Sequence, residues 1–324
     1  MSEISKRHWS DIATPDDLYY CYRLLLGREP DAEGWQHWIE RLANEQFTCA
    51  KLAAYFRKSP EYVSGRRARG IKLLELDGFD LYVYEHDWDV GEQIVRTKRY
   101  EPHVTAFLKQ HLRSGMTFVD VGANVGYFTL LGATLVGDAG KTVAVECSPE
   151  NCELIYMSLH RNGLDQVLVY PFAVGDSQKL VSFVQGFSNG SVGELAEGGE
   201  ESAIVPAVTL DFLLEREPRI DVVKMDIEGS EARAWQGMQR VIEKHHPLLL
   251  IEFFPALLEK ISGVRAEEFL ASIYARGYAA TVLGSPRDGL RASSAADVMA
   301  AWAAQCQAVG DASRAYLDLA FCRS

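Results

Sequence analysis

The sequence predicts a doubly wound α/β fold with a mostly parallel sheet, preceded by a small all-α N-terminal domain. Three observations predict it. From residue 116 onward, near-continuous apolar runs alternate with segments of helical period, the pattern of buried parallel strands and their crossovers. The first run ends in a glycine turn, Val119-Asp120-Val121-Gly122-Ala123-Asn124-Val125-Gly126, that opens a helix. Before residue 70 the apolar period is helical.

The N-terminal domain takes residues 1–69. Leu18, Tyr22, Leu25 and Leu26 share one helical face until Gly27-Arg28-Glu29-Pro30-Asp31 stops the helix. Trp35, Trp38, Ile39 and Leu42 line a second helix; Leu52, Tyr55 and Phe56 line a third that ends before Ser59-Pro60. The second domain takes residues 70–324, with a lead-in over 70–115 and a core over 116–324. In the lead-in, Ile71, Leu73, Phe79, Leu81 and Val83 alternate around the Asp77-Gly78 turn as a hairpin does, and a helix spans about 101–112. Core strands are expected at 117–121, 142–145, 167–172, 222–225 and 248–251, and helices at 126–136, 149–162, 230–243 and 265–276. Strands at 278–283 and 316–321, joined by an Ala-rich helix, complete the sheet. The Gly-, Ser- and Glu-rich stretch 186–201, with Asn189 and Ser191, reads as a long surface loop and a substrate cover.

Composition narrows the function. Of 324 residues, 48% are apolar and 24% charged, which excludes a disordered chain, a collagen-like fibre and a membrane bundle. The net charge of −12 argues against a nucleic-acid partner. Residues 1–70 carry 11 basic and 10 acidic groups, so the acidity lies in the second domain. Six cysteines without a CxxC pair read as reduced thiols. Met1–Asp11 is charged, without an apolar run, and no segment is apolar enough to span a bilayer. A cytoplasmic location is expected.

The glycine turn is the most informative segment. A dinucleotide fingerprint would need glycines at 122, 124 and 127, but Asn124 and Tyr127 stand there, and no Gly-Lys-Ser/Thr follows for a P-loop. What remains is close backbone approach with Asp120 at the mouth. The next strand ends in Val145-Glu146, where a carboxylate can accept from both ribose hydroxyls. A nucleoside without a pyrophosphate suits such a pocket. S-adenosylmethionine (SAM) is one, and its cationic sulfonium and ammonium favour nearby carboxylates.

Two long motifs carry a family resemblance. Asp120-Val121-Gly122-Ala123-Asn124-Val125-Gly126-Tyr127-Phe128-Thr129 and Lys224-Met225-Asp226-Ile227-Glu228-Gly229-Ser230-Glu231 resemble the hallmarks of the FkbM family of SAM-dependent methyltransferases. Tyr100-Glu101-Pro102, Ala173-Val174-Gly175-Asp176 and Ile251-Glu252 fall in the matching places. The resemblance implies a Rossmann-like class I methyltransferase fold and O-methylation, often of a sugar hydroxyl in a glycan or glycosylated metabolite. A small non-sugar acceptor, hydroxyl or carboxylate, and a non-catalytic SAM-binding module are the alternatives. The N-terminal segment, through Tyr22-Arg23-Leu24-Leu25-Leu26-Gly27-Arg28-Glu29-Pro30-Asp31, Gly34, Trp38, Leu42 and Ser59-Pro60-Glu61, resembles the DUF4214 type. A docking or dimerisation element and a plain helical cap are its two readings.

The chemistry is expected at the carboxyl ends of the strands, near the switch in strand order. Asp120, Gly122, Ala123, Asn124, Gly126 and Tyr127 are assigned to the methionine portion, Glu146 with Cys147 to the ribose, and Ala173-Val174 to the adenine edge. The resemblance adds Glu101 at the methionine end. Alternation along the fourth strand places Lys224, Asp226 and Glu228 on one face, with Glu252 at the end of the neighbouring strand. An alcohol needs help to lose its proton, and two mechanisms are open. In one, Asp226 or Glu228 accepts the proton while Lys224 steadies the oxyanion, or Lys224, with a lowered pKa, is itself the base. In the other, Asp226 and Glu252 hold Mg²⁺; two carboxylates are few for that, and the metal-free version is favoured. Trp88, Tyr82, Tyr84, Trp235 and Phe187 are aromatic candidates for a sugar face, although scattered aromatics more often belong to the core.

Overall fold

A computed structural model of the chain describes residues 12–26, 28–59, 61–62, 70–85, 87, 90–185, 189–193, 202–285 and 287–323. Trp88, Phe187 and most of 186–201 lie outside these residues. The chain divides into two units, residues 1–71 and 72–324.

In the smaller unit, α1 (Pro15–Tyr20) starts from a capping box between Thr14 and Asp17 and runs on as one π-helical turn, Cys21–Leu25. Asp31 and Thr48 cap α2 (Ala32–Asn44) and α3 (Cys49–Lys58). Leu18, Tyr22, Phe47, Leu52 and Phe56 form the core, with the Trp38 ring tilted against Phe56. The segment resembling DUF4214 is held by a fork: Arg28 Nη2 donates to Glu61 Oε2 at 2.9 Å and Nη1 to Asp31 Oδ2 at 3.1 Å. A Cβ on Gly34 would meet the Tyr22 hydroxyl at 2.6 Å, which accounts for that glycine.

The larger unit opens with the expected hairpin, β1 (Ile71–Glu75) and β2 (Asp80–Tyr84), then α4 (Gly91–Thr97) and α5 (Pro102–His111). The core runs β3 (Thr117–Val121), α6 (Tyr127–Val136), β4 (Lys141–Val145), α7 (Pro149–Asn162), β5 (Val167–Tyr170). A second sheet follows: β6 (Ala173–Val174), β7 (Lys179–Gln185), β8 (Gly190–Gly193), β9 (Ser202–Val208). After α8 (Leu210–Leu213) come β10 (Val222–Met225), α9 (Glu231–Gln236), α10 (Gln239–His245), β11 (Leu248–Phe253), α11 (Pro255–Ser262) and α12 (Ala266–Tyr274). Last are β12 (Tyr278–Leu283), β13 (Arg291–Ala292), α13 (Ala295–Val309) and β14 (Leu317–Arg323).

The main sheet has the order β13-β12-β14-β11-β10-β3-β4-β5, parallel from β11 to β5. From β3 the chain steps outward to β4 and β5, then returns to β10 on the other side of β3, so the switch in order lies between β3 and β10. Register decides where the site falls. Val121 lies across from Val145 and Met225, and Met225 across from Ile251. The residues that follow, Gly122, Glu146, Asp226 and Glu252, therefore emerge along one edge.

Several expectations need correction. The third core strand stops at Tyr170, because Phe172 N–H turns back to the Tyr170 carbonyl and β6 leaves for the second sheet. Residues 190–193, read as loop, are strand β8 paired with β7. The helix expected at 230–243 is two, broken around Gly237, where a Cβ would strike the Gly175 carbonyl oxygen. Helix α11 was not foreseen in the apolar run around Pro255.

Candidate active site

A cleft of about 900 Å³, including its open mouth, lies over the switch point. Of the residues singled out in the sequence, Gly122, Ala123, Asn124, Tyr127, Glu146, Cys147, Ala173, Val174, Lys224, Asp226, Glu228 and Glu252 line it. Asp120, Gly126 and Glu101 do not.

The glycine turn is shaped by the protein itself. Gly122 has φ +80° and Gly126 φ +92°. A Cβ on Gly122 would strike the Asp226 carbonyl oxygen, and one on Gly126 would meet Ile155 at 2.9 Å. Both glycines are thus already required by neighbours, and their absent side chains let the turn sit against the end of β10 and against α7. Asn124, also left-handed at φ 51°, accepts from Val125 N–H at 2.7 Å and donates from Nδ2 to Asn189 Oδ1 at 2.6 Å. Asn189, Gly190 and Val192 line the cleft, so the described part of the expected cover reaches the turn.

Glu146 is buried. Its Oε2 accepts from Asn124 N–H and its Oε1 from Ser148 N–H, each at 2.7 Å. Burial outweighs these bonds and raises its pKa to about 7. Cys147 beside it has its thiol pushed up by burial, which argues against a nucleophile.

Asp120, expected at the mouth, is wholly buried behind the turn, where Oδ2 accepts from Thr129 Oγ1 at 2.6 Å and Oδ1 has no hydrogen-bond partner among the described residues. Desolvation, partly offset by Lys224, raises its pKa to about 6. Lys224, 4% exposed, donates to Asp226 Oδ2 at 2.9 Å and lies 4.8 Å from the centre of the Phe128 ring. Burial opposes its charge, but Asp226, Asp120 and Glu101 outweigh burial and hold the ammonium above its ordinary value. The version in which Lys224 is a base with a lowered pKa is therefore overturned.

The strand alternation does not reach Glu228. β10 ends at Met225, and Glu228 sits in a left-handed turn at φ 52°, though it still lines the cleft. That turn is tied by a residue the sequence reading quoted but gave no role: Glu231 Oε1 accepts from Ile227 N–H at 2.9 Å and Gly229 N–H at 3.3 Å. Tyr100 and Phe128, also unassigned in the sequence, wall the cleft. Trp235 lies in the core and, like Tyr82 and Tyr84, does not line the cleft.

Glu252 faces Asp318 of β14 across the sheet, and His103 Nε2 lies 2.6 Å from Asp318 Oδ2. Neither His103 nor Asp318 was singled out, because only the antiparallel insertion of β14 brings them here. Burial, then Asp226 and Glu228, push the Glu252 carboxyl well above the carboxylate range. Glu101, left-handed at φ 37° ahead of Pro102, is raised by burial to about 8 despite Lys224.

This doubly wound sheet, with a glycine turn and no phosphate loop at its switch point, has the class I methyltransferase fold. Residues 120–278 match the Methyltransferase FkbM domain and residues 2–65 a domain of unknown function, DUF4214. The larger unit belongs to the FkbM methyltransferase family, and a DUF4214 domain precedes it. Over 53 residues the chain is 42% identical to protein-L-isoaspartate O-methyltransferase 1 of Arabidopsis thaliana, a stretch of 15% of this chain and 23% of that one. An FkbM methyltransferase structure from Methylobacillus flagellatus is 16% identical, with 92% of this chain and 58% of that chain covered, at a TM-score of 0.39. A Bacillus cereus O-methyltransferase in complex with SAH is 16% identical, with 72% and 90% covered, at 0.39. Among the described residues no helix is long and apolar enough to cross a membrane.

Proposed function

We propose that this protein transfers a methyl group from SAM to a hydroxyl oxygen of a sugar, in a glycan or glycosylated metabolite. The carrying observation is the division of one cleft: the glycine turn and Glu146 on the β4 side, and Lys224, Asp226, Glu228 and Glu252 on the β10–β11 side. The residues fit SAM. Asp120 and Glu101, just outside the lining, each hold a buried carboxylate oxygen with no hydrogen-bond partner among the described residues, and Asp226, Glu228 and Glu252 line the cleft itself, an acidic setting suited to a cationic ligand. Glu146, fixed at the cleft wall by the Asn124 and Ser148 N–H groups, is the carboxylate assigned to the ribose diol.

Bound SAM supplies a methyl group on a cationic sulfur, which departs as a neutral thioether with the C–S bonding pair. The protein's part is alignment and proton removal. Asp226 and Glu228 are assigned to the acceptor proton, which leaves as the new O–C bond forms. Lys224, permanently charged, steadies the growing charge on that oxygen. Tyr100 and Phe128 keep water off this end of the cleft. Phe254 and Tyr316, with ring centres 6.3 Å apart, just after β11 and just before β14, offer apolar faces to a sugar ring. We place the protein in the cytoplasm with a small or glycan-type acceptor rather than nucleic acid, and give the DUF4214 unit a docking or dimerisation role.

The test is incubation of the pure protein with SAM and a panel of sugars and glycosides, with SAH and methylated product read by mass spectrometry. A base-stable methyl ether on a sugar supports the reading. A base-labile ester would move it to a carboxylate acceptor, and SAM binding without product from any acceptor would reduce the protein to a binding module.

A further inference from the structure

We propose that Asp226 and Glu252, at the acceptor side of the cleft, and Glu101 just behind that wall form a divalent-cation site, where the ion holds two neighbouring hydroxyls of the substrate. This rests on the methyltransferase reading above and specifies how its acceptor is bound.

Three carboxylates from three different elements converge here: Glu101 from the turn before α5, Asp226 from the end of β10 and Glu252 from β11. One oxygen from each lies within 4.8 Å of the others. On an ion with bonds of about 2.3–2.6 Å, adjacent ligand oxygens stand roughly 3.3–3.7 Å apart and opposite ones roughly 4.6–5.2 Å, so three oxygens within that spread can be drawn onto one hard cation. Oxygen-only ligands select such hard cations.

A second observation points to a ligand rather than to a mere acidic patch. Glu101 is 9% exposed, and its Oε2 has no hydrogen-bond partner among the described residues. A buried carboxylate oxygen is ordinarily satisfied, and here two more carboxylates lie close by. Lys224 does not balance the cluster alone. It is shared among Asp226, Asp120 and Glu101, and Glu252 feels Asp226, Glu228, Asp318 and Glu101 around it, all acidic. His103 is the other nearby cation, and it is bound to Asp318. A double positive charge in the centre removes this repulsion.

Three protein oxygens leave positions open on a six-coordinate ion, the arrangement in which a substrate diol and water complete the shell. A hydroxyl on the ion becomes more acidic. Its proton then passes to Glu228 as the methyl carbon bonds to oxygen and the sulfur keeps the pair from the broken C–S bond. Asp226 in this arrangement is a ligand, held in place by the Lys224 ammonium on its Oδ2.

The experiment is an MnCl₂ titration of the EDTA-treated full chain, saturated with SAH, with free Mn²⁺ read by electron paramagnetic resonance. One Mn²⁺ per chain is expected, with Kd raised at least tenfold in Glu252→Gln and in Glu101→Gln and unchanged in the surface variant Asp77→Asn. No uptake at millimolar Mn²⁺, unchanged uptake in both cleft variants, or mutual exclusion of Mn²⁺ and SAH would overturn the site. Should the variants not fold, the anomalous signal of Mn²⁺ in a crystal of the native chain decides: a peak among the three carboxylates supports the site, and its absence there removes it. Failure of SAH itself to bind would instead strike the methyltransferase reading.

Discussion

Lys224 is held charged by three carboxylates in a place where an isolated ammonium would shed its proton. Removing it strands those carboxylates. Lys224→Met should cost about 3–5 kcal/mol in urea unfolding, the range for breaking a buried pair, and Asp226→Asn in the same chain should return a large part of it; additive losses would deny the coupling. Glu146 makes a prediction about pH. Its folded pKa, about 7 against 4.5, means that the folded form binds the proton more tightly. Its contribution to the stability of the ligand-free protein therefore falls as pH rises from about 4.5 to 7, and the melting temperature should show that slope, weakened in Glu146→Gln. Ribose hydroxyls need the ionised form, so SAH affinity should rise through about pH 7 by calorimetry, and Glu146→Ala should weaken it by about 1–3 kcal/mol. These residues were legible one at a time, since a charge after an apolar run is conspicuous. Their states were not. Nothing local to Lys224 reveals that Asp120 and Glu101 converge on it, and the inference of a lowered lysine pKa failed for that reason.

At the level of elements, the glycine turn and the end of β10 form one joint. Gly122→Ala puts a side chain at φ +80° and against the Asp226 carbonyl. The left-handed backbone alone costs roughly 1–2 kcal/mol, and the overlap pushes the Asp226 turn away from the cleft, so both stability and turnover should drop; a variant with native melting and native rate would remove the joint. The parallel strands were readable because each is an unbroken apolar run between turn residues, as Val222–Met225 is. The second sheet was not. Its inner residues, Val181, Phe183, Val205 and Ala207, are few, and the same strands turn Leu180, Val184 and Ile204 outward, so no clean alternation stands out. Gly190–Gly193, with two glycines in four residues, carries almost no strand signal, and its pairing with β7 comes from the fold around it.

For the molecule as a whole, the two units have separate cores, one around Phe47 and Phe56 and the other around the main sheet. Residues 72–324 made alone should fold cooperatively and bind SAH within threefold of the full chain; loss of the melting transition would show that the helical unit supplies part of the larger core. The order of strands was only partly legible. Alternating strands and helices imply a parallel sheet, but the insertion of β14 between β11 and β12 depends on pairings remote in sequence, and with it came Asp318 and the contact to His103.

That insertion also governs how the sheet closes. Until Leu317–Arg323 dock, β11 offers a bare hydrogen-bonding edge, and β12 cannot join the sheet. A chain in this state invites pairing with other copies, so docking of this strand is what seals the sheet against self-association.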